Sequence, residues 1–144
     1  MSDAIRKIAS DLDKAIENKN RDLISLFFTD DCEIELLGLK LNGKDGVEKW
    51  MNWIYEHLAE VKFLPIVIMV EGNFFFEEFI VKAKLHNGVE IESKQAEVLI
   101  FENDKVKSLR LYFNPIEFAL YTEKGFFARM MIQKFTKRSL KRLI

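Results

Sequence analysis

Two glutamates and one histidine are the side chains of this chain that could carry acid–base chemistry. Glu35 and Glu97 lie in alternating stretches where either could point inward. A carboxyl group in a dry aromatic pocket has its pKa raised toward the range useful for proton transfer. His57 follows Trp50 by seven positions and could share a helical face with it as a proton donor. We therefore take Glu35, Glu97 and His57 as candidate catalytic residues.

Each candidate also has an ordinary structural interpretation. Glu35 and Glu97 could lie on the solvent side of their strands or pair with Lys94 or Arg110, and His57 could be a half-exposed packing residue. The two histidines of the chain lie far apart, and there is no Cys/His cluster. The sequence therefore predicts no metal site and no cofactor.

Aromatic side chains are abundant and could line a ligand pocket. Ligand pockets are lined mostly by such side chains, with a few polar groups that set orientation. Ordinary cores and dimer faces use aromatic residues in the same way. The candidate ligand-binding residues are Trp50, Trp53, Tyr55, Tyr112 and Asn114, and Tyr112 is also a candidate proton donor.

Composition and charge limit the class of protein. With 144 residues and 49% apolar content, the chain is long enough for a compact domain with a sizeable core. The net charge of −1 gives no global attraction to phosphate, so specific nucleic-acid binding is not expected. A single cysteine, Cys32, and an N-terminus without a secretory pattern predict a cytoplasmic protein. No apolar run is long enough to predict a membrane span.

The N-terminal part of the chain shows helical periodicity. Apolar residues at helical spacing between Ile5 and Ile16 predict an amphipathic first helix, with Ser2 or Asp3 as its cap. A second helix is predicted over 21–28, a short strand over 33–37, and a third helix over 44–61.

The remainder of the body reads as an antiparallel meander. Strands are predicted over 65–70, 74–85, 89–101 and 106–113, separated by turn sequences such as Asn87-Gly88. Helices followed by a curled antiparallel sheet make an α+β fold. The run from Phe74 to Phe76 gives the sheet apolar residues on both faces, so something is expected to cover each face.

The C-terminal segment, residues 123–144, is a basic amphipathic stretch. It holds seven basic residues against one acidic residue, Glu123. Phe127, Met131 and Phe135 belong to an apolar stripe at approximate helical spacing. Such a helix could bind a membrane or an acidic partner. We favour the alternative, that it packs on the acidic body or across a dimer.

Several stretches together resemble the SnoaL-like branch of the nuclear-transport-factor-2-like (NTF2-like) superfamily. The resemblance covers about residues 5 to 120. Its motifs are Ala15-Ile-Glu-Asn18, Asp22-Leu-Ile-Ser-Leu-Phe-Phe-Thr-Asp-Asp31, Leu41-Asn-Gly-Lys-Asp-Gly-Val47 and Leu109-Arg-Leu-Tyr-Phe-Asn-Pro115.

This resemblance implies a particular architecture. Three N-terminal helices would pack in a strongly curved antiparallel sheet, forming a cystatin-like cone whose open end holds a small apolar ligand. It also implies homodimers that pair through the outer face of the sheet. We expect one SnoaL-like domain over residues 1–122 and a helical extension over 123–144.

The catalytic sets that the resemblance implies are incomplete in this chain. SnoaL-like cyclases have a catalytic aspartate where this chain has Asn114. Ketosteroid isomerases have an aspartate at Leu36 and a tyrosine at Leu12, and their second oxyanion donor aligns approximately with Glu97. The Asp-Arg-Asp triad of epoxide hydrolases has no counterpart in the strand over 74–85.

The sequence thus leaves three hypotheses for function. The favoured one is a protein that binds a small hydrophobic molecule in the cone without a standard catalytic set. The second is a cyclase, isomerase or dehydratase that uses Glu35 or Glu97 as base and Tyr112 or His57 as donor. The third is an interaction module that uses its basic C-terminal helix.

Overall fold

The computed structural model describes residues 2–122 and 126–143. They fall into two units, Met1–Phe113 and Asn114–Ile144. The helices of the first unit are α1 (Ser2–Glu17), α2 (Arg21–Leu26) and α3 (Gly43–His57). Its strands are β1 (Phe28–Leu36), β2 (Leu39–Asn42), β3 (Leu58–Glu71), β4 (Phe74–Leu85), β5 (Glu90–Glu102) and β6 (Lys105–Tyr112).

The three helices present apolar stripes to the sheet. In α1 the buried residues recur at the spacing of one helical face: Ile5, Ala9, Leu12, Ala15 and Ile16. The α2 helix begins after Asn20, whose Oδ1 accepts a hydrogen bond of 3.3 Å from the Leu23 backbone N–H. The α1 helix contacts β3, and α3 contacts β1 and β2.

The six described strands of the first unit form one sheet in the order β2-β1-β6-β5-β4-β3. All neighbours are antiparallel except β1 and β6, which are parallel. The sheet is curved and unclosed. This α+β arrangement of three helices on a curved sheet confirms the predicted fold class.

Strand alternation divides the sheet into two faces. We call the face that is buried under the helices the inner face. On β4 it presents Phe75, Phe79 and Val81, and on β5 it presents Leu99 and Phe101. The opposite, outer face carries exposed apolar residues on β3 and β4: Leu64, Val67, Met69 and Phe74.

Several predicted boundaries are wrong, and tertiary pairing explains the differences. The third helix ends at His57 instead of continuing to residue 61, and β3 begins at Leu58. In β3, Val61 and Phe63 lie opposite Ala83 and Val81 of β4, so cross-strand pairing overrides the helical pattern.

The first strand and its neighbour also differ from prediction. Strand β1 begins at Phe28 instead of residue 33 because residues 28 and 33–36 pair with β6, and α2 correspondingly ends at Leu26. The short strand β2, Leu39–Asn42, was not predicted. Among the described strands it pairs with β1 alone, and its alternation over four residues is too short to detect.

The second unit contains α4 (Ile116–Thr122) and α5 (Phe126–Ser139). Asn114 Oδ1 accepts a 3.0 Å hydrogen bond from the Ile116 backbone N–H at the start of α4. In and after α5, apolar side chains are exposed: Met130, Met131, Phe135, Leu140 and Leu143. The side chain of Phe127 lies outside the described residues.

The structure divides the chain after Phe113, whereas the expected boundary lies after residue 122. Packing of residues 123–144 on the domain or across a dimer stays a prediction. Among the described helices, none is both long and apolar enough to cross a lipid bilayer.

Candidate functional site

Two glutamates face each other on the inner face of the sheet. Glu77 of β4 and Glu97 of β5 are direct cross-strand partners. Residues in such register have Cβ atoms about 5 Å apart. Glu77 lies between Phe75 and Phe79 on the same face of β4, and only 2% of its surface is exposed. The alternation that buries the two phenylalanines therefore buries a carboxyl group between them.

A third carboxyl group comes from α1. Asp13 lies next to the buried stripe of that helix, one position after Leu12, and is partly buried. The charges of Asp13 and Glu77 each raise the pKa of Glu97. Glu17, one helical turn after Asp13, accepts a 3.0 Å hydrogen bond through Oε1 from the Phe63 backbone N–H of β3. This bond ties α1 to β3, the strand that neighbours β4.

We name Asp13, Glu77 and Glu97 the carboxyl cluster, and all three have raised pKa values. Burial, followed by the charges of Glu77 and Glu17, raises the pKa of Asp13 from 3.8 to about 8. Burial raises the pKa of Glu77 from 4.5 to about 7. Burial, followed by the charges of Asp13 and Glu77, raises the pKa of Glu97 well above 4.5. The cluster therefore retains protons at neutral pH.

No cation within the described chain offsets these carboxyl groups. None of the ion pairs between described residues includes a member of the cluster. The buried Oε1 of Glu77 has no hydrogen-bond partner there. Among the same residues, no group of three His, Cys, Asp or Glu side chains is placed to hold a metal ion.

Aromatic and polar side chains share this interior with the cluster. The ring of Phe63 packs edge-on against Phe79, with centroids 5.9 Å apart. On β5, Ser93 and Gln95 lie on the same face as Glu97, and Gln95 Nε2 donates a 3.3 Å hydrogen bond to Ser93 Oγ. The inner face of β5 thus presents three polar residues in a row, an unusual content for a core.

Of the predicted ligand-binding residues in the first unit, Trp50 is the one that the structure buries. It is 4% exposed, and its ring packs edge-on against Phe28 at 5.9 Å. Its indole N–H is buried without a hydrogen-bond acceptor in the described part of the chain. A buried indole N–H usually has an acceptor, so its absence among the described residues is unusual.

Of the three candidate catalytic residues, the structure places only Glu97 in the carboxyl cluster. Ile34 and Leu36 of β1 are buried, so Glu35 between them points to the outer face, in register with Arg110 of β6. His57 is exposed at the end of α3, with Nδ1 2.8 Å from the Trp53 carbonyl oxygen. The catalytic roles of these residues stay predictions.

The other predicted ligand-binding residues are dispersed. Trp53 lies at the surface with its ring 5.9 Å from that of Phe113, and Tyr55 donates its hydroxyl to the Ile16 carbonyl oxygen at 2.8 Å. Leu111 pairs with Glu97 on the inner face, so the adjacent Tyr112 lies on the outer face and is 56% exposed.

Asn114 belongs to the second unit, where it caps α4. The expected grouping of Trp50, Trp53, Tyr55, Tyr112 and Asn114 around one ligand is therefore not seen within the first unit.

Glu35 and Tyr112 do meet, at a groove beside the ends of β1 and β6. The groove has a volume of about 200 Å³ and also includes Arg110 and the turn at Leu37 and Gly38. Arg110 is half-buried, and its Nε has no hydrogen-bond partner in the described part of the chain. The structure thus separates the sequence-predicted residues into the interior and this groove.

Sequence reasoning missed Asp13 and Glu77, although each carries a signal. Glu77 occupies an inward position of a strand whose neighbouring inward positions are Phe75 and Phe79. Asp13 lies beside the apolar stripe of α1. A carboxylate at a position that the period assigns to the core is the pattern that could have identified both residues.

Comparison with known proteins agrees with the fold. No protein-family model matches the chain, and no curated protein matches it significantly. Among solved structures, it is similar to an NTF2-like protein of unknown function from Burkholderia pseudomallei K96243. That protein is 17% identical with a TM-score of 0.72, and the match covers 79% of this chain and 93% of that one.

Two further structures show the same likeness. A protein assigned as a SnoaL-like polyketide cyclase from Shewanella putrefaciens CN-32 is 11% identical, with a TM-score of 0.68 and coverage of 76% and 88% of the two chains. A protein with a ketosteroid isomerase-like fold from Catenulispora acidiphila, solved in complex with trimethylamine, is 13% identical, with a TM-score of 0.70 and coverage of 78% and 88%. The chain therefore has the NTF2-like fold, as its sequence motifs predicted.

Proposed function

We propose that this protein is an enzyme that binds a small, mostly apolar molecule inside its curved sheet and transfers a proton with the carboxyl cluster. The observation that carries this proposal is the grouping of buried Glu77 with partly buried Asp13 and Glu97, without a cation from the described chain. A buried carboxyl group is costly to folding, so the presence of Glu77 between the buried Phe75 and Phe79 favours a role in chemistry.

The raised pKa values assign complementary roles to two of these groups. With a pKa of about 7, Glu77 is ionised in half of the molecules at neutral pH and can accept a proton. With a pKa of about 8, Asp13 is mostly protonated and can donate one. Because the groups interact, the cluster titrates as a unit and holds base and acid at the same pH.

This pair fits a proton transfer beside a carbonyl group. Glu77 would remove a proton from the carbon next to the carbonyl, and Asp13 would give its proton to the carbonyl oxygen as the enol forms. The reverse transfers would exchange a hydrogen if they occurred at the same carbon, and would complete an isomerisation if they occurred at another carbon.

The proposal favours the enzyme alternative over non-catalytic binding. The positions of the usual catalytic aspartates are Leu36 and Asn114, so the proposed base and acid, Glu77 and Asp13, are different residues, whereas Glu97 aligns approximately with the second oxyanion donor of ketosteroid isomerases. Two of the similar structures support action on small molecules: one is assigned as a polyketide cyclase and another holds trimethylamine.

A deuterium-exchange assay tests this function. A panel of small cyclic ketones is incubated with the protein in D2O, and deuterium at the carbons next to the carbonyl is followed by mass spectrometry. We expect exchange that increases with pH through about pH 7, as Glu77 ionises. Glu77→Gln should slow exchange by about 100-fold or more, because the general base is lost.

Glu78→Gln is the matched control. It makes the same chemical change one position along β4, where the side chain lies on the opposite face from Glu77. Its exchange rate should equal that of the wild type. If panel members bind but exchange no deuterium, the protein is a small-molecule-binding protein and the proposed enzyme function is wrong.

A further inference from the structure

The carboxyl cluster contains more acidic groups than one proton transfer requires. A general acid and a general base are two groups, and the cluster has three. Around it the structure describes no lysine, arginine or histidine that pairs with Asp13, Glu77 or Glu97. A neutral apolar ligand would leave any ionised member of the cluster without a counter-charge in a dry interior, which is unfavourable.

The surroundings of Glu77 point to a ligand that supplies this charge. Glu77 is 98% buried, since 2% of its surface is exposed, and its buried Oε1 has no partner among the described residues. The inner face of β4 places Glu77 between Phe75 and Phe79, and Glu97 lies across from it on β5. An unpartnered carboxyl oxygen between aromatic side chains leaves a place for a donor that carries positive charge.

The aromatic residues favour the same class of ligand. Phe75 and Phe79 are each no more than 2% exposed, and Phe63 packs against Phe79. Aromatic rings attract cations through their faces, and proteins commonly recognise quaternary ammonium ligands with such rings. Carboxylates and aromatic rings together therefore select an organic cation over a metal ion.

We propose that the molecule bound in the interior carries a positively charged amine on an apolar skeleton, and that this amine pairs with the carboxyl cluster. The proposal rests on the proposed function in one respect, since it assigns the substrate class to the same site. The ammonium group supplies the positive charge that the ionised cluster lacks, and its place beside Glu77 and Glu97 follows from the unpartnered Oε1 of Glu77 and the cross-strand pairing of the two residues.

Choline and its neutral isostere 3,3-dimethyl-1-butanol test this inference by calorimetric titration of the full chain. Choline is charged at every pH, so any pH dependence of its binding reports on the protein. We expect choline to bind at least tenfold more tightly than the neutral alcohol at pH 8.5, a difference of about 1.4 kcal/mol. Choline affinity should fall about tenfold at pH 6, where the cluster is protonated, while the binding of the alcohol stays constant.

Two variants and one control locate the binding site. Glu77→Gln and Glu97→Gln should each weaken choline binding about tenfold, and Glu78→Gln should leave it unchanged. Circular dichroism shows whether each variant is folded. Because the two Gln variants alter separate strands, loss of folding in one leaves the other as the test.

The outcomes separate this inference from the proposed function. Equal binding of choline and the alcohol, or no binding of choline, overturns the inference, and ketone exchange that depends on Glu77 would still support the enzyme function. Choline binding that depends on Glu77 and Glu97, without deuterium exchange on any ketone, supports the inference and leaves the proposed proton transfer wrong.

Discussion

At the scale of single residues, Glu77 links the site to the stability of the protein. Its pKa is about 7 in the folded chain and about 4.5 when solvent-exposed, so the folded state binds the proton more tightly. The stabilisation of the folded state by this proton is fully present below pH 4.5 and is lost as the pH rises through about 7. Asp13 acts in the same direction up to about pH 8.

We therefore expect the free energy of unfolding to decrease between pH 5 and pH 8. The contribution of Glu77 should be roughly 2 kcal/mol between pH 5 and pH 7, since one pKa unit corresponds to about 1.4 kcal/mol. Glu77→Gln should reduce this slope and be more stable than the wild type at pH 8. Urea denaturation at four pH values measures the effect.

Glu78→Gln is again the control, and its pH dependence should match that of the wild type. Stability that is constant from pH 5 to pH 8 in the wild type would show that Glu77 and Asp13 are solvated. The raised pKa values and the proton-transfer roles based on them would then be incorrect.

At the scale of elements, the contact between α3 and β2 depends on one glycine. Gly46 is buried in the first turn of α3, and a Cβ atom added there would lie 2.8 Å from the backbone carbonyl carbon of Leu41. Both residues belong to the motif Leu41-Asn-Gly-Lys-Asp-Gly-Val47. The motif therefore has a steric explanation, namely close packing of a helix on the strand that precedes it.

Gly46→Ala should destabilise the protein by about 1–3 kcal/mol, measured as a lower midpoint of urea denaturation. At a solvent-exposed position of a helix the same substitution would stabilise the protein by up to about 1 kcal/mol. The sign of the change therefore shows whether Gly46 is in close contact with β2. Lys49→Ala, at an exposed position of α3, should change stability by less than about 0.5 kcal/mol. A stabilising Gly46→Ala would mean that α3 and β2 are farther apart than described.

At the scale of the whole molecule, the outer face of the sheet predicts self-association. Met69 is 58% exposed and Phe74 is 50% exposed on neighbouring strands. Exposed apolar patches of this kind mark interaction surfaces. We expect a homodimer in which two copies cover this face, as the run of phenylalanines in β4 also suggests.

Light scattering coupled to size-exclusion chromatography measures the mass. The wild type should elute as a dimer, and Met69→Lys together with Phe74→Lys should give a monomer. Phe135→Lys is the control, because Phe135 is an exposed apolar residue of α5 outside this face. If only Phe135→Lys produces a monomer, association uses the C-terminal helix instead of the sheet.

Much of the fold was predictable because its signals are local. The bounds of β4 were predicted correctly, since twelve alternating residues lie between two turn sequences. The stripe of α1 was equally clear from Ile5 to Ile16. The start of β3 was not predictable, because residues 58–64 are strand only through their pairing with β4.

For the site, the sequence by itself determined which faces the side chains occupy. Alternation places Glu77 and Glu97 on the same face as their buried neighbours, and helical periodicity places Asp13 beside the stripe of α1. Only the tertiary structure decided that these three carboxyl groups interact, because strand register and the packing of α1 on the sheet depend on long-range contacts. Burial of these side chains and, for Asp13 and Glu97, the charges of neighbouring carboxyl groups raise the pKa values on which the proposed chemistry depends.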